Sequence, residues 1–227
     1  MHGSEKFTEL VEIMARLRGP QGCPWDRAQT HASLRRYLLE ETYEVLHALD
    51  AGDDEELCHE LGDLLLQVVY HAQIAAEAGR FDIGAVIAAI SAKMIRRHPH
   101  VFGDARVDSA AELTHLWEQI KQQEGKKNAL AGVPHALPAL QRAARLQQKA
   151  GAAAASVDEV EATWQTFRAA AAGAKDGLPS DHRPLPELYG DLLFRLVAFG
   201  RGLGLNAEDN LREACHRFEH EYAGPRQ

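Results

Sequence analysis

The 227-residue chain is predicted to be all-α, and two observations carry this prediction. Apolar residues return every three or four positions through most of the sequence, which is the spacing of an amphipathic helix. The alternation of apolar and polar residues that marks a half-buried strand is absent throughout. We therefore expect a helical bundle in which each helix buries one apolar face.

The helix boundaries follow from breaking residues. Gly19-Pro20 stops the first helix, Gly52 lies in a short polar connector between the second and third, and Pro99 ends the fourth. The predicted helices span Glu5–Arg18, Thr30–Asp50, Glu55–Gly79, Ile83–Arg97, Val107–Glu124, Leu137–Ala155, Val157–Ala172, Leu188–Leu203 and Ala207–Tyr222. The second and third helices are expected to form an antiparallel hairpin because their connector is short and contains glycine.

The second half of the chain repeats a motif of the first. Gly62-Asp63-Leu64-Leu65 recurs as Gly190-Asp191-Leu192-Leu193, and in each case an apolar helix and then a further amphipathic helix follow. The second copy has Leu188 in the place of Glu60, and the helix before it carries no acidic cluster. We therefore expect two tandem helical repeats, of which the second is degenerate.

A segment with the composition of a linker separates the two copies. It contains Gly125-Lys126-Lys127-Asn128 and, soon after, Gly132 and Pro134. We predict a first domain over residues 1–128 that holds the candidate site. The second domain, over residues 129–227, is predicted to keep the helical scaffold in a structural or dimerisation role.

Composition argues against several classes of protein. The net charge of −8 disfavours a broad surface for a nucleic-acid polymer. No window approaches the roughly 18 uninterrupted apolar residues of a membrane span, and a secretory pattern is absent, so a cytoplasmic location is expected. Cys23, Cys58 and Cys215 are odd in number and far apart, so we expect reduced thiols.

Two pairs of acids lie on the predicted hairpin. Residues three apart share one face of a helix, so Glu41 and Glu44 project together, as do Glu60 and Asp63. Four converging carboxylates repel one another unless a cation offsets their charge. Oxygen ligands of this kind suit Mg²⁺ or Mn²⁺, whereas the usual Cys and His ligands of zinc lack a familiar spacing here.

The alternative interpretation is that these acids only lie on two solvent-exposed helix faces, as most isolated pairs of this kind do. Two features favour a divalent-metal site that binds phosphate. Glu60 and Asp63 lie beside Leu61 and Leu64 rather than on a wholly polar face, and one tight turn joins the two acidic pairs.

The acids also fit a known pattern, EExxE followed by ExxD, which this chain writes as Glu40-Glu41-Thr42-Tyr43-Glu44 and Glu60-Leu61-Gly62-Asp63. In this the chain resembles the MazG-type all-α nucleoside triphosphate pyrophosphohydrolases. Four further motifs fit in order: Gly22-Cys23-Pro24-Trp25-Asp26, Gly79-Arg80-Phe81-Asp82, Arg96-Arg97-His98-Pro99-His100-Val101-Phe102 and Trp117-Glu118-Gln119-Ile120-Lys121. Long members of that family carry two such domains, which matches the repeat.

The resemblance implies hydrolysis of a nucleoside triphosphate between its α and β phosphates, giving a nucleoside monophosphate and pyrophosphate, with Mg²⁺ required and Mn²⁺ as a substitute. It implies that Glu41, Glu44, Glu60 and Asp63 are the metal ligands. Glu40 is the candidate to orient or deprotonate the attacking water, a role that Glu41 is also placed to fill.

Basic and aromatic residues are predicted to bind the substrate. Lys93 and Arg97, one helical turn apart, are expected to hold the outer phosphates, with Lys121 as a third candidate; the alternative is a solvated helix end. Trp117 either stacks on the base or packs, and Trp25 either anchors the core or lines a ligand pocket. The expected substrates are NTPs and dNTPs, including damaged or non-standard ones.

Two questions stay open at the level of sequence. The family implies a homodimer, because a two-helix hairpin buries too little alone, although the degenerate half is a second candidate to complete the bundle. A nucleotide-sensing or protein-binding module without turnover, and a pyrophosphohydrolase acting on phosphoribosyl-ATP, are the rival functions. The complete acid set argues against the module without turnover, and a panel of substrates would separate the two enzymes.

Overall fold

The computed structural model describes residues 2–106, 130–175 and 183–223, together with the isolated positions 109, 112 and 116. All regular structure in these residues is helical, which confirms the predicted all-α class. The described helices are α1 (His2–Arg18), α2 (Pro24–Ala28), α3 (Arg35–Ala51), α4 (Asp54–Glu77), α5 (Ile83–Arg97), α6 (Pro99–Phe102), α7 (Ala139–Lys149), α8 (Val157–Lys175), α9 (Leu185–Gly202) and α10 (Ala207–Ala223).

The chain divides into two compact units, Met1–Ile120 and Lys121–Gln227, and each is described by itself. The predicted boundary after residue 128 lies outside the described residues, as does the predicted helix over 107–124 apart from positions 109, 112 and 116. None of the described helices combines the length and the apolar character that a membrane span requires.

A two-residue connector folds α4 back along α3 in the first unit. Gly52 adopts φ 67°, a left-handed conformation that a residue without a Cβ atom reaches at little cost. Asp53 then caps α4, because its carboxylate accepts hydrogen bonds from the backbone N–H groups of Glu55 and Glu56. The predicted antiparallel hairpin is therefore present, and its turn is fixed by local chemistry.

The core of the first unit lies under the second half of α4. Met14, Leu34, Val69 and Tyr70 are buried there, and apolar side chains from α1, α3 and α5 pack around them. The first half of α4 is much more exposed, and it is the part that carries Glu60 and Asp63. The hairpin is thus anchored at one end and accessible at the other.

The segment between α1 and α3 is more ordered than a simple turn. Pro24 begins the one-turn helix α2, which starts after a sharp bend at Gly22. A Cβ atom at Gly22 would overlap the carbonyl oxygens of α1, so the chain requires glycine at this point. The Tyr70 hydroxyl donates to the Asp26 carboxylate at 2.8 Å and thereby ties this segment to α4.

The second unit has the same arrangement of neighbours. In the first unit α4 packs against α1, α3 and α5; in the second, α9 packs against α7, α8 and α10. Leu188, Leu192, Val197 and Ala198 of α9 are buried. Each unit therefore has a central helix with three packed neighbours in the same chain order, while the tandem repeat itself stays a prediction.

Candidate functional site

The acidic residues are brought to the same level by the geometry of the hairpin. Glu41 and Asp63 each lie eleven residues from Gly52. Glu44 and Glu60 each lie eight residues from it. Because both helices rise by the same distance per residue, the members of each pair lie opposite one another across the α3–α4 contact. The tight turn therefore sets the register of the acids.

Three of these side chains form a compact carboxylate cluster. Glu41, Glu60 and Asp63 each offer a carboxylate oxygen, and these three oxygens all lie within 4.8 Å of one another. Oxygen ligands around an octahedral Mg²⁺ are about 2.9–4.2 Å apart, since each lies about 2.0–2.1 Å from the ion. Glu44 is near enough to repel the charges of Glu41 and Glu60. The spacing suits a single divalent cation.

The electrostatics of the cluster favour the same conclusion. Burial raises the pKa of Glu41, and its neighbours Glu44, Asp63 and Glu60 raise it further. Burial is also the first cause of the raised pKa of Glu60, followed by repulsion from Glu44, Glu56 and Asp63. Each added negative charge is therefore costly without a cation, and a bound cation would relieve that cost.

A buried amide that the sequence analysis did not single out touches the cluster. Gln67 is 5% exposed, and its Nε2 atom lies 3.4 Å from the Glu41 Oε1 atom. The sequence contained one signal for it, a polar residue four positions after Asp63 within an apolar stretch of α4. That spacing places Gln67 one helical turn beyond Asp63 on the same face.

The predicted water-activating residue lies outside this compact set. Glu40 is exposed on α3 and is not one of the three residues whose carboxylate oxygens converge. Glu41, by contrast, is at the centre of the cluster. The assignment of either glutamate to the attacking water stays a prediction.

The predicted phosphate ligands lie on the helix that follows α4. Lys93 and Arg97 are half-buried in the last two turns of α5, and α5 packs against α4. Four residues apart, they share one helical face. The two other predicted substrate ligands, Trp117 and Lys121, lie outside the described residues.

Trp25 is an exposed aromatic rather than a buried core residue. Its side chain is 51% exposed, and its ring meets the edge of Tyr37 at a centroid distance of 6.0 Å. Tyr37 precedes Glu41 by four residues, so it lies one turn away on the same face of α3. This position favours the pocket-wall interpretation of Trp25.

A histidine pair, which no sequence signal identified, links the turn before α3 to the second half of α4. Arg80 donates to His31 Nε2 at 2.7 Å, so His31 carries its proton on Nδ1 and donates it to His71 Nδ1 at 2.8 Å. The two ring planes are within 8° of parallel, and their centroids are 5.0 Å apart. Burial lowers the pKa of His71, and repulsion from His31 lowers it further.

A second network braces α1 against α4. The Arg18 side chain is 6% exposed and donates two hydrogen bonds to the Glu77 carboxylate, at 2.9 and 2.8 Å. The Arg18 guanidinium therefore holds the pKa of Glu77 below its ordinary value. This bidentate ion pair stabilises the packing of α1 against α4, the helix that carries Glu60 and Asp63.

Comparisons with known proteins identify the family of this chain. The sequence profile of the MazG nucleotide pyrophosphohydrolase domain matches residues 29–102, which contain the acidic hairpin and α5. A Thermotoga maritima protein named nucleoside triphosphate pyrophosphohydrolase/pyrophosphatase MazG is 44% identical over 215 residues, covering 93% of this chain and 82% of that protein. The chain belongs to the MazG family.

Other relatives extend the MazG comparison. An Escherichia coli K12 protein named nucleoside triphosphate pyrophosphohydrolase is 42% identical over 232 residues, covering 96% of this chain and 86% of that protein. A Bacillus subtilis protein, YabN, is 49% identical over 146 residues, which is 63% of this chain but 30% of YabN. The likeness to the first two relatives therefore spans both units of this MazG-family chain.

Proposed function

We propose that this chain is a Mg²⁺-dependent nucleoside triphosphate pyrophosphohydrolase that converts NTPs and dNTPs to nucleoside monophosphates and pyrophosphate. The observation that carries the proposal is the convergence of Glu41, Glu60 and Asp63 from two helices whose register Gly52 fixes. The printed names of the Thermotoga and Escherichia relatives support the same activity.

The chemistry of the donor set fits magnesium. Its members are carboxylates, which are hard oxygen ligands, and Mn²⁺ is the natural substitute. Glu44 is the fourth proposed ligand, beside the three that converge. When bound, the ion neutralises phosphate charge and lowers the pKa of a coordinated water.

The chain's own residues supply the remaining roles. Glu40 or Glu41 accepts a proton from the water that attacks the α phosphorus. Lys93 and Arg97 hold the β and γ phosphates, whose negative charge increases as pyrophosphate leaves. Lys121 is the third proposed phosphate ligand, Trp117 is proposed to stack on the base, and Trp25 is proposed to line the pocket. This division places the phosphates between α5 and the acidic hairpin.

The proposed substrates include damaged and non-standard triphosphates, as the resemblance to the MazG-type pyrophosphohydrolases implies. The proposed location is the cytoplasm, where nucleotide pools are held and where the free cysteines Cys23, Cys58 and Cys215 would stay reduced.

We further propose a homodimer. Large apolar side chains on α3 and α4 are exposed beside the acids, which is typical of a surface that another helix pair covers. They include Leu39, Tyr43, Leu49, Leu61, Leu65 and Val68. The second unit is proposed to have a structural or dimerisation role. Sedimentation equilibrium would give twice the chain mass for a dimer and the chain mass for a monomer.

The experiment that tests the function is ³¹P NMR of purified protein with Mg²⁺ and a panel of NTPs, dNTPs, phosphoribosyl-ATP and pyrophosphate. We expect signals of nucleoside monophosphate and pyrophosphate to grow together. Formation of nucleoside diphosphate and orthophosphate would contradict the assigned bond, and tight triphosphate binding without product would favour a sensing module. The pyrophosphate sample shows whether orthophosphate arises in a second step.

A further inference from the structure

We propose that Gln67 is a positioning residue for the metal site, whose buried amide holds one oxygen of Glu41 so that the other oxygen faces the cation. The inference rests on the proposed function, because it assigns Glu41 to the metal. It adds a residue that the acidic motifs do not contain.

The contact has the polarity that this role requires. An ionised carboxylate only accepts hydrogen bonds, so the amide nitrogen of Gln67 must be the atom that faces Glu41. The distance of 3.4 Å between Gln67 Nε2 and Glu41 Oε1 is long for a hydrogen bond, and a small shift of the Glu41 side chain on metal binding would shorten it. One anchored oxygen leaves the second oxygen of the same carboxylate for the ion.

The other end of the amide shows that packing alone does not explain this glutamine. Gln67 is 5% exposed, and its buried Oε1 atom has no hydrogen-bond partner among the described residues. A buried acceptor without a partner lowers stability, whereas methionine of similar length would fill the same space without that cost. The amide is therefore unfavourable for folding, and its one hydrogen bond points at the candidate site.

The second unit offers a matched comparison. Gln147 of α7 is 4% exposed and also has a buried Oε1 atom without a partner. Its Nε2 atom, however, donates to the backbone carbonyl of Phe194 in α9 at 2.8 Å. That bond joins two helices and touches no acid, so Gln147 has a structural role by the same criteria.

The groups that orient metal ligands typically change metal affinity or activity by about 10–100-fold when they are removed. We therefore expect Gln67→Met to raise the Mg²⁺ concentration for half-maximal activity about 10-fold or more, with little change in the KM for the nucleotide at saturating Mg²⁺. Its melting temperature without metal should equal or exceed that of the wild type. Gln67→Asn, whose amide is one methylene shorter, should behave like Gln67→Met in metal dependence.

Gln147→Met is the control. It should lower the melting temperature by about 2–4 °C both with and without metal, because it removes the hydrogen bond that joins α7 to α9, and it should leave the Mg²⁺ dependence unchanged. An equal shift of Mg²⁺ dependence in Gln67→Met and Gln147→Met would overturn the proposal, as would wild-type Mg²⁺ dependence in Gln67→Met.

Calorimetric titration with Mn²⁺ alone, without nucleotide, separates this proposal from the proposed function. Weaker Mn²⁺ binding in Gln67→Met than in Gln147→Met supports the positioning role even if the wild type releases no pyrophosphate. Equal Mn²⁺ binding by Gln67→Met and a catalytically active wild type would overturn the positioning role and leave the proposed function intact.

Discussion

The α3–α4 hairpin of the first unit and the α8–α9 hairpin of the second differ where the chemistry is proposed to occur. In the predicted alignment of the two copies, Glu60 corresponds to Leu188, which is buried in α9. Asp191, which the same alignment matches to Asp63, pairs with Arg183 at 2.5 Å on the surface. The second hairpin packs without a carboxylate cluster of this kind among its described residues, so folding does not require one.

The electrostatics of the first hairpin also indicate that the carboxylate cluster does not serve folding. The pKa values of Glu41 and Glu60 are raised, so their charged forms are disfavoured in the folded protein at neutral pH. Because these two carboxylates lower the stability of the fold, we attribute their presence to ligand binding rather than to folding. The predictions below compare each change in one unit with a matched change in the other where the chain provides one.

Loss of a proposed metal ligand should have the largest effect. Asp63→Asn removes a charge without changing shape, and we expect kcat/KM for pyrophosphate release to fall by at least about 100-fold, since metal interactions supply several kcal/mol of transition-state stabilisation. The control Asp191→Asn should keep wild-type activity because its partner is the surface residue Arg183. Equal losses in both variants would show that the effect is structural.

Loss of a proposed phosphate ligand should have a smaller effect. Lys93→Ala is expected to raise the KM for the triphosphate about 10-fold, the value of one charge-assisted hydrogen bond. Arg217, which aligns with Lys93 when the two predicted copies are matched with one loop gap, pairs with Glu213 on an exposed helix face. Steady-state kinetics of Arg217→Ala should match the wild type, and a similar KM in Lys93→Ala would remove α5 from the substrate site.

The two units should also differ in the strength of their ion pairs. Glu77→Gln leaves the buried Arg18 guanidinium without its carboxylate, so we expect the free energy of unfolding to fall by about 1.5–3 kcal/mol in urea titrations. Glu187→Gln disrupts an exposed ion pair with Arg183 and should change the free energy of unfolding by less than about 1 kcal/mol.

The contribution of the Arg18–Glu77 pair to stability should fall at low pH. The pKa of Glu77 is lowered from its ordinary value of 4.5, so its stabilisation is present above that pH and is lost as the pH falls through the lower folded value. Glu77→Gln should flatten this acid limb of the stability curve. If Glu77→Gln loses stability at low pH as steeply as the wild type does, other carboxylates control the acid sensitivity.

The smallest effect is expected at the histidine pair. The pKa of His71 is lowered from 6.5, so the stability that comes from keeping it neutral is present above pH 6.5 and is lost as the pH falls through the lower folded value. His71→Gln should therefore reduce the loss of melting temperature below pH 6.5. His59 is exposed on the same helix, and His59→Gln should not reduce this loss of melting temperature.

The sequence was most informative where a local signal has one structural meaning. Gly52 and Pro99 marked helix ends that the structure contains, and α5 has the predicted bounds Ile83–Arg97. By contrast, α3 begins at Arg35 rather than Thr30, because Thr30 and Ser33 bond each other's backbone N–H groups in a separate turn. Local side-chain bonds of this kind compete with helix formation.

Contacts between distant residues could not be predicted in this way. His31 and His71 are forty residues apart, and Arg18 and Glu77 fifty-nine, so no local pattern connects them. Gln67 differs because it lies one turn after Asp63. Its role depends on burial and on the neighbouring helix, which a single sequence does not specify.

Thermal unfolding of Glu60→Leu, with and without Mn²⁺, tests the central claim most directly. This change gives the first hairpin the residue that the second has at that position. We predict that Mn²⁺ raises the melting temperature of the wild type but not of Glu60→Leu, and that the metal-free variant is at least as stable as the wild type. A less stable metal-free variant, or an undiminished Mn²⁺ shift, would contradict the claim that these acids serve metal binding and not folding.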